Sequence, residues 1–460
     1  EEVSEIAKIA NKYKIHIVPR GGGADLVGGS TTQNGILLDI TRMNRILEID
    51  EVNMFCIVEP GITWAILHSE LQKKGLTTGV IGPGSGYSAT IGGGISNATV
   101  GFGSTKYGVV PDICLGVEVV LSNPRGTIIR TGAAVSKYSK PFCRYGTAPD
   151  FTGLFMGDVG TMGIKTKAYL KLFPITPYKT RRDYMLLSKD FKDMTKIFHK
   201  LQQKVLDGIL NLTAIPDNII ALRQGMATER PPKKIEITGP VFGVELEAYD
   251  ERIFDVYIDQ VDEIMKNNNA RPFEFQEVDL SQPLTKDYRF NLKYAFNYFH
   301  AGISMQPPLI ACTTCHKIPI TDISKAAKVH EEFYSRYKNE FPVGGGVLGA
   351  ILAGVIFALP NGNCVIVGGL AAENVDGQRQ AAMNIWHKKI RSQVRYGGIH
   401  YWLGESISQS IVEANAYKPD FVQFFKDIKR AVDPNFLLSP NKFHFYNYED
   451  DYTKYIVKDE

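Results

Sequence analysis

The stretch Pro19-Arg20-Gly21-Gly22-Gly23-Ala24-Asp25-Leu26-Val27-Gly28-Gly29-Ser30 follows a strand-like run, IHIVPR, at residues 15–20. Three consecutive glycines allow main-chain dihedrals that other residues avoid, and they leave adjacent N–H groups without side chains in front of them. Such a concave array of amides binds anions, and a pyrophosphate group is the ligand that it suggests. No G-x-G-x-x-G opens a helix here and no Gly-Lys-Ser/Thr follows, which excludes a Rossmann motif and a P-loop. Taken alone, the stretch leaves a purely structural turn open.

Two further segments of the same kind follow. Residues 82–97 read GPGSGYSATIGGGISN and continue into GFGSTKYG at 101–108, and residues 153–166 read GLFMGDVGTMGIKT. Three glycine-lined surfaces in this part of the chain are too many for turns alone, whereas a long dinucleotide held mainly by the main chain needs several such contacts. The sequence therefore predicts a dinucleotide site.

Five segments together resemble a known family. They are PRGGGADLVGGS at 19–30, GPGSGYSATIGGGISN at 82–97, YGVVPDICLGVEVVL at 107–121, DFTGLFMGDVGTMGIKTKAYLKLFP at 150–174 and VDPNFLLSPNKF at 432–443. In this order and spacing they look like the FAD-linked oxidases of the vanillyl-alcohol-oxidase or PCMH-type fold, which include D-lactate dehydrogenases, glycolate oxidase and 4-cresol dehydrogenase. The resemblance covers nearly all of residues 1–175 and again 396–443, and it is loose in between.

The resemblance implies an α+β fold with two domains. Residues 1–175, rich in short strand-like runs, are predicted to form a PCMH-type FAD-binding domain that lacks the first strands that the family carries upstream. Residues 176–395 alternate apolar strand-like runs with helical patterns at 190–207, 250–267, 322–338 and 376–393. This texture favours an antiparallel sheet covered by helices, which would be the substrate or cap domain. Residues 396–460 are predicted to return to the flavin.

By resemblance, Arg20–Ser30 and Gly84–Asn97 line the pyrophosphate and the ribityl chain, and Gly160–Ile164 support the adenine side. The full set of cofactor-binding residues that the resemblance implies is Pro19, Arg20, Gly21, Gly22, Gly23, Ala24, Asp25, Gly28, Gly29, Ser30, Pro83, Gly84, Ser88, Thr90, Ile91, Gly92, Gly93, Asn97, Gly101, Gly103, Ser104, Tyr107, Gly108, Gly160, Gly163, Ile164, Trp402 and Asn441.

The family's covalent flavin attachments use a histidine or cysteine at one of two places. Ala24 and Asp25 occupy the first place, beside the first glycine run. In GGIHYWLGES, residues 397–406, the resemblance puts Trp402 at the second place. An indole cannot form the bond, so we expect FAD to be bound non-covalently.

The same segment supplies the predicted catalytic residue, His400. Two alignments, with the vanillyl-alcohol oxidases and with the 2-hydroxy-acid dehydrogenases, put His400 near the substrate. Removing hydride from an alcohol carbon requires a group that accepts the hydroxyl proton, and a histidine near its unperturbed pKa suits that role at neutral pH. A structural histidine remains the alternative. Tyr401, Tyr107 and Arg144 are further candidates for holding a carboxylate or phenolate, and Arg144 is equally compatible with a surface position.

No metal site is predicted. Many 2-hydroxy-acid members carry H-x-GDGN-x-H, whose histidines bind a divalent metal, but the matching positions here hold Ala358 and Val365 around an Asn361-Gly362-Asn363 turn. This departure puts simple D-lactate or glycolate specificity in doubt. Cys312-x-x-Cys315-His316 has the spacing of haem attachment, and zinc or redox chemistry is also open. Ordinary cysteines at a strand end are the favoured interpretation.

Bulk properties exclude other classes. The net charge is +3, from 52 Lys and Arg against 49 Asp and Glu, and it gives no reason to expect nucleic acid. The six cysteines are dilute and favour a reducing compartment, hence a cytoplasmic protein that could associate with a membrane through a partner. The uncharged run at 343–359 is interrupted by glycines and favours a pair of core strands over a membrane span.

The sequence thus predicts an FAD-linked oxidoreductase acting on CH–OH groups. The expected reaction takes hydride from a 2-hydroxy acid such as D-lactate or glycolate to flavin N5. Electrons would then pass to an iron–sulfur protein, an electron-transferring flavoprotein, a cytochrome or a quinone, in a homo- or hetero-oligomer. One alternative is a para-hydroxybenzylic alcohol or alkylphenol oxidase or dehydrogenase, and another is a flavin-bearing electron-transfer subunit of a larger redox complex.

Overall fold

The computed structural model describes residues 1–32, 34–146, 148–215, 238–273, 309–337, 339–340, 355–373, 376–443 and 447–457. Its internal contacts divide the chain into two compact units. The first comprises Glu1–Gly101, Val109–Ile175 and Tyr401–Glu460, and the second comprises Phe102–Gly108 and Thr176–His400. These units differ from the predicted domains in two places, because residues 102–108 and 396–400 group with the second unit.

Nine strands lie in the described part of the first unit. They are β1 (Ile17–Arg20), β2 (Ile36–Asp39), β3 (Ile46–Asp50), β4 (Phe55–Val58), β5 (Leu76–Thr77), β6 (Cys114–Val120), β7 (Ile128–Arg130), β8 (Ile164–Lys171) and β9 (Phe173–Pro174). β1 and β2 pair in parallel, β5 and β9 pair antiparallel, and the other five form an antiparallel sheet in the order β3-β4-β8-β6-β7. β6 is buried along its whole length, including Glu118, whose carboxylate pairs with Arg130 and Lys167.

The first unit also contains α-helices and short 3-10 helices. The α-helices are Glu2–Tyr13, Trp64–Gln72, Ile91–Ser96, Val110–Ile113, Glu405–Glu413 and Pro419–Val432, and the 3-10 helices are Gly132–Val135, Phe151–Phe155 and Tyr452–Tyr455. The hydroxyl of Thr63 accepts a hydrogen bond from the amide of Ile66 and caps the second of these helices. The first helix ends at Lys14, which is in the left-handed conformation with φ 57°.

The second unit is built on one large sheet. Its strands are β10 (Tyr178–Leu186), β11 (Ile209–Ile215), β12 (Val241–Ala248), β13 (Ala270–Pro272), β14 (Leu309–Pro319), β15 (Val355–Leu359), β16 (Asn363–Glu373) and β17 (Ile399–His400). They lie in the order β13-β10-β12-β11-β15-β16-β14-β17, and the neighbouring pairs are antiparallel. The predicted antiparallel sheet is therefore confirmed in the described residues.

Long helices pack on one face of this sheet. They are Phe191–Lys204, Glu251–Lys266, Ile323–Tyr337 and Asp376–Arg395, and the unit also contains the short helix Ser104–Tyr107 and the 3-10 helices Leu206–Gly208 and Ile320–Asp322. Phe198 and Ile264 of these helices share one core with Val244, Leu246 and other sheet residues. Side chains alternate between the faces of a strand, so Glu245 and Glu247 point away from this core. The two faces therefore differ in chemistry.

The apolar run predicted as two strands is only partly described. Residues 343–354 lie outside the described residues, and Val355–Leu359 form β15. Among the described residues no helix combines the length and the apolar character that crossing a bilayer requires.

Candidate flavin site and catalytic residues

The three glycine segments meet within the first unit. A Cβ atom on Gly21 would overlap the hydroxyl of Thr90, and one on Gly22 would overlap the carbonyl oxygen of Ser88. The first and second segments therefore touch at a distance that only glycine allows. The amide of Val159 donates to the carbonyl of Ser96 over 2.9 Å, which joins the third segment to the second. The convergence expected of a dinucleotide site is present in the main chain.

The amides of the first segment fall into two groups. Asp25 accepts hydrogen bonds from the amides of Val27, at 3.1 Å, Gly29 and Ser30. Burial raises the pKa of Asp25, although these amides oppose the shift. By contrast, the amides of residues 21–24 donate to no acceptor within the described ranges. Four successive half-buried donors without a protein acceptor fit the phosphate oxygens of an FAD diphosphate.

The C-terminal segment of the first unit supports these loops. Lys442 Nζ donates to the carbonyls of Gly28 at 2.8 Å and Thr31 at 2.9 Å. The side-chain amide of Asn441 donates to Glu405 Oε1 at 3.1 Å. In the third segment, Gly160 has φ +70°, and a Cβ there would lie 3.4 Å from the hydroxyl of Ser439. This segment therefore reaches the first and third glycine segments.

The predicted cofactor residues do not all fall in one unit. Those in the first unit include the three glycine segments, Gly101, Trp402 and Asn441, whereas Gly103, Ser104, Tyr107 and Gly108 belong to the second. Trp402 is half-buried, and its ring lies 5.9 Å from the ring of Tyr401, which is itself buried. The tether positions Ala24 and Asp25 lie at the start of the loop that Asp25 organises.

His400 lies in β17 of the second unit, opposite His316 of β14. His316 also faces Ile366, a member of the helix-packed core, so His400 points to the helix side of the sheet. Neither ring nitrogen of His400 has a hydrogen-bond partner among the described residues, and burial lowers its pKa to about 3. The expectation that His400 titrates near its unperturbed pKa is therefore wrong, because the ring is removed from water without a compensating partner.

The cysteine motif is not at a strand end. Cys312, Cys315 and His316 lie inside β14, so the favoured interpretation places them wrongly. Residues three apart on a strand point to opposite faces, which prevents Cys312 and Cys315 from gripping one metal ion. All six cysteines are free thiols, and burial raises the pKa of Cys312 to about 12. His316 Nε2 is hydrogen-bonded to the hydroxyl of Tyr396.

The other face of the sheet carries a network of charges. Glu247 of β12 accepts hydrogen bonds from Lys106 Nζ at 2.8 Å, the Tyr107 hydroxyl at 3.0 Å and the Thr176 hydroxyl at 2.7 Å. Burial raises the pKa of Glu247, but these partners and Lys179 outweigh it, and the net shift is downward. Burial and the neighbouring carboxylate raise the pKa of Tyr107. Tyr107 is thus a neutral phenol directed at an ionised glutamate.

A second group of polar residues extends this network. Glu245 pairs with Arg181 NH1 at 3.2 Å and accepts a hydrogen bond from the Asn211 amide at 2.6 Å. Asn211 in turn accepts the amide of Gly103 at 2.7 Å. Sequence reasoning missed these residues. Two acidic residues at alternate positions of an otherwise apolar strand, Glu245 and Glu247, were the available signal, since they mark a polar sheet face.

The guanidinium group of Arg144 is already paired with other residues of the first unit. Its guanidinium pairs with Asp150, with NH2 at 2.8 Å from Oδ2, and its NH1 donates to the carbonyl of Pro111 at 2.7 Å. These bonds occupy both sides of the fork that a substrate carboxylate would need.

In the parts of the chain that the structure describes, no three His, Cys, Asp or Glu side chains are placed to hold a metal ion. Ala358 and Val365 lie on β15 and β16 and are buried. Asn361 and Gly362 between these strands both have positive φ, 65° and 70°, which confirms the predicted turn.

Comparison with known proteins supports a flavin site in the first unit. Residues 1–132 match the model of an FAD binding domain. The glycolate oxidase subunit GlcD of Bacillus subtilis is 42% identical over 175 residues, which are 38% of this chain and 35% of that protein. The mitochondrial D-lactate dehydrogenase (cytochrome) of Arabidopsis thaliana is 26% identical over 455 residues, covering 96% of this chain and 71% of that protein.

The chain also resembles a solved structure of p-cresol methylhydroxylase, with a TM-score of 0.77 and 20% sequence identity. The superposition covers 98% of this chain and 88% of the other chain, which shows that the two share a fold. The match with the Bacillus protein spans about a third of that protein's length. Residues 1–132 therefore form an FAD-binding domain, in a chain with the two-domain α+β fold of the PCMH type and with FAD-linked oxidoreductases among its relatives.

Proposed function

We propose that this chain is an FAD-dependent oxidoreductase that removes hydride from an alcohol carbon, with a 2-hydroxy acid such as D-lactate or glycolate as substrate. The observation that carries the proposal is the meeting of three glycine segments, of which the first, at 19–30, and the second, at 82–97, lie within residues 1–132, which match an FAD binding domain. Bound FAD supplies the hydride acceptor. The substrate class is supported by the printed activities of the relatives, glycolate oxidase and D-lactate dehydrogenase.

The residues that handle the hydroxyl proton are proposed from the two faces of the large sheet. A substrate must reach the group that takes its proton, and His400 and the neighbouring His316 are both buried on the helix side of the sheet. Tyr107 lies on the other side, with its phenol proton directed at Glu247. We therefore favour Tyr107 over His400: its oxygen accepts the hydroxyl proton while its own proton passes to the carboxylate.

A second candidate is oxidation of a para-hydroxybenzylic alcohol or alkylphenol. The likeness to p-cresol methylhydroxylase along 98% of this chain favours it. A neutral tyrosine that is hydrogen-bonded to a carboxylate suits a phenol hydroxyl as well as an alcohol. The third candidate, a flavin-bearing electron-transfer subunit, is supported by the absence of metal-ligating side chains at Ala358 and Val365.

The electron acceptor is proposed to be an iron–sulfur protein, an electron-transferring flavoprotein, a cytochrome or a quinone, and the chain is proposed to work as a homo- or hetero-oligomer. Six free thiols support a reducing, cytoplasmic setting, with any membrane association made through the acceptor.

The test is anaerobic reduction of the bound flavin. We expect D-lactate or glycolate to bleach the flavin absorbance within seconds to minutes, and 4-cresol to leave it unchanged. Bleaching by 4-cresol alone would establish the second candidate. Bleaching by a reduced partner protein and by no alcohol would establish the third, and it would contradict the proposed oxidation.

A further inference from the structure

A single buried ammonium group links the C-terminal segment to the first glycine segment. Lys442 is 1% exposed, and its Nζ donates to the carbonyls of Gly28 at 2.8 Å and Thr31 at 2.9 Å. The carbonyl of Lys442 accepts a hydrogen bond from the hydroxyl of Ser408, on the helix Glu405–Glu413, which fixes the lysine's own main chain. A buried charge is costly unless it is hydrogen-bonded, so the buried ammonium group of Lys442 depends on these two carbonyl groups as its acceptors.

The main-chain amides of the same loop donate hydrogen bonds to the carboxylate of Asp25. Asp25 accepts the amides of Val27, Gly29 and Ser30. A concave set of amides around an anion is the arrangement in which loops bind phosphate, but here the anion belongs to the protein. These three amides are therefore not available to a ligand, although all three lie inside the glycine motif.

The remaining donors lie immediately before Asp25. The amides of residues 21–24 have no acceptor in the described part of the chain, and Gly23, at φ +63°, has the Arg20 guanidinium beside it. Residues 21–24 are joined directly to this loop, and Gly21 and Gly22 lie against Thr90 and Ser88, so holding the loop at 25–31 restricts the directions that these amides can take. Gly28, at φ +82°, allows its carbonyl to turn toward Lys442.

We propose that Asp25 and Lys442 form a clamp that holds residues 25–31 by their amides and their carbonyls, and so positions the amides of residues 21–24 for the diphosphate of FAD. In this role Lys442 is a positioning residue that acts through the loop. The inference rests on FAD binding by residues 1–132, and it is independent of which substrate is oxidised.

The test compares FAD affinity in wild-type apoprotein and in Lys442→Met, which keeps the length of the side chain and removes its three donors. We expect the dissociation constant for FAD, measured by quenching of flavin fluorescence, to rise about tenfold or more, because hydrogen bonds to charged groups are lost. An unchanged dissociation constant would overturn the clamp.

The chain offers a matched control. Lys426 is also buried, 8% exposed, and its Nζ also donates to two main-chain carbonyls, those of Tyr448 at 3.2 Å and Asp450 at 2.6 Å. Neither carbonyl belongs to a glycine segment. Lys426→Met should lower the melting temperature comparably, yet change the FAD dissociation constant by no more than about twofold. Equal losses of affinity in both variants would overturn the clamp, since general destabilisation would then explain the effect.

A second readout addresses the diphosphate itself. ADP and AMP are used as competitors of FAD, because they differ by one phosphate group. In Lys442→Met the advantage of ADP over AMP should shrink toward equality, whereas a merely structural role would weaken both competitors in proportion and keep their ratio.

If Lys442→Met does not fold, Asp25→Asn takes its place. The amide of asparagine replaces one acceptor oxygen with a donor and releases one of the three loop amides, so the FAD dissociation constant should rise several-fold and the ADP advantage should shrink. Wild-type affinity in that variant would overturn the clamp. Failure of alcohols to bleach the flavin would count against the proposed reaction and leave the clamp standing.

Discussion

Burial determines the protonation of His400. The ring has no partner for either nitrogen among the described residues, and its pKa is lowered to about 3. Tyr107, unlike His400, has a hydrogen-bond partner, because its hydroxyl donates to the carboxylate of Glu247. At this scale the sequence named both His400 and Tyr107 as candidates, but it did not show which face of the sheet each would occupy.

The first prediction concerns pH and stability. The unfolded chain titrates His400 near 6.5 and the folded chain near 3, so between these values the unfolded state binds more protons and stability falls as the pH drops. His400→Leu should reduce the slope of the unfolding free energy between pH 4 and 6.5 by up to about 1.4 kcal/mol per pH unit. Urea titrations at several pH values measure it.

His199→Leu controls for the loss of a histidine as such, because His199 is exposed. The same slope in wild type and His400→Leu would show that His400 does not stay neutral in the folded protein.

The second prediction separates the two catalytic hypotheses. Tyr107→Phe should slow flavin reduction by substrate about a hundredfold, because the hydroxyl that relays the proton is lost, while Lys106 still pairs with Glu247. His400→Gln should keep the wild-type rate. Stopped-flow absorbance gives both rates.

Tyr184→Phe is the control, because that tyrosine also donates to a carboxylate, Asp262, but packs in the helix-side core. Full activity in Tyr107→Phe together with a strong loss in His400→Gln would reverse the assignment.

At the scale of elements, the glycine segments can form one site only because their main chains lie in direct contact. Gly22→Ala should place a methyl group against the carbonyl of Ser88 and force the first and second segments apart. We expect the unfolding free energy to fall by about 1–3 kcal/mol, as for other overpacked sites. The FAD dissociation constant should rise at least about tenfold, because the diphosphate amides move.

Thermal melts and FAD titrations measure these two effects. Gly146→Ala is the control, since nothing lies within 4 Å of a Cβ at that glycine and its φ is not positive. Wild-type affinity in Gly22→Ala would mean that the contact between the segments is not needed.

The sequence predicted most elements within a few residues because their signals are local. The helical pattern at 250–267 became Glu251–Lys266, capped by Asp250, whose carboxylate accepts the amide of Arg252. β17 is two residues long, too short for any periodic pattern, so the face occupied by His400 was not predictable. The cysteine motif was misplaced because β14 continues to Pro319, beyond the apolar run that predicted it.

At the scale of the whole molecule, the first unit carries the proposed flavin site and the second carries the polar sheet face. The grouping of 102–108 with the second unit was not foreseen, because it depends on long-range contacts such as the Thr105 hydroxyl with the carbonyl of Ala358 at 2.8 Å. Resemblance to a family predicted the fold and the cofactor, and local pattern could not have done so alone.

Non-covalent attachment of FAD is the prediction at this scale. Ala24, Asp25 and Trp402 offer no nucleophile of the type that tethers flavin. Acid precipitation of the holoprotein should leave the yellow colour in the supernatant, as intact FAD by chromatography. Colour retained in the pellet would reveal a covalent bond at some other residue.

The most direct measurement of the central claim is a titration of the apoprotein with FAD, followed by calorimetry or flavin fluorescence. Binding of one FAD per chain, with a rise in melting temperature, is the predicted result. A colourless protein that takes up no FAD at micromolar concentrations would contradict the claim that the three glycine segments form a cofactor site.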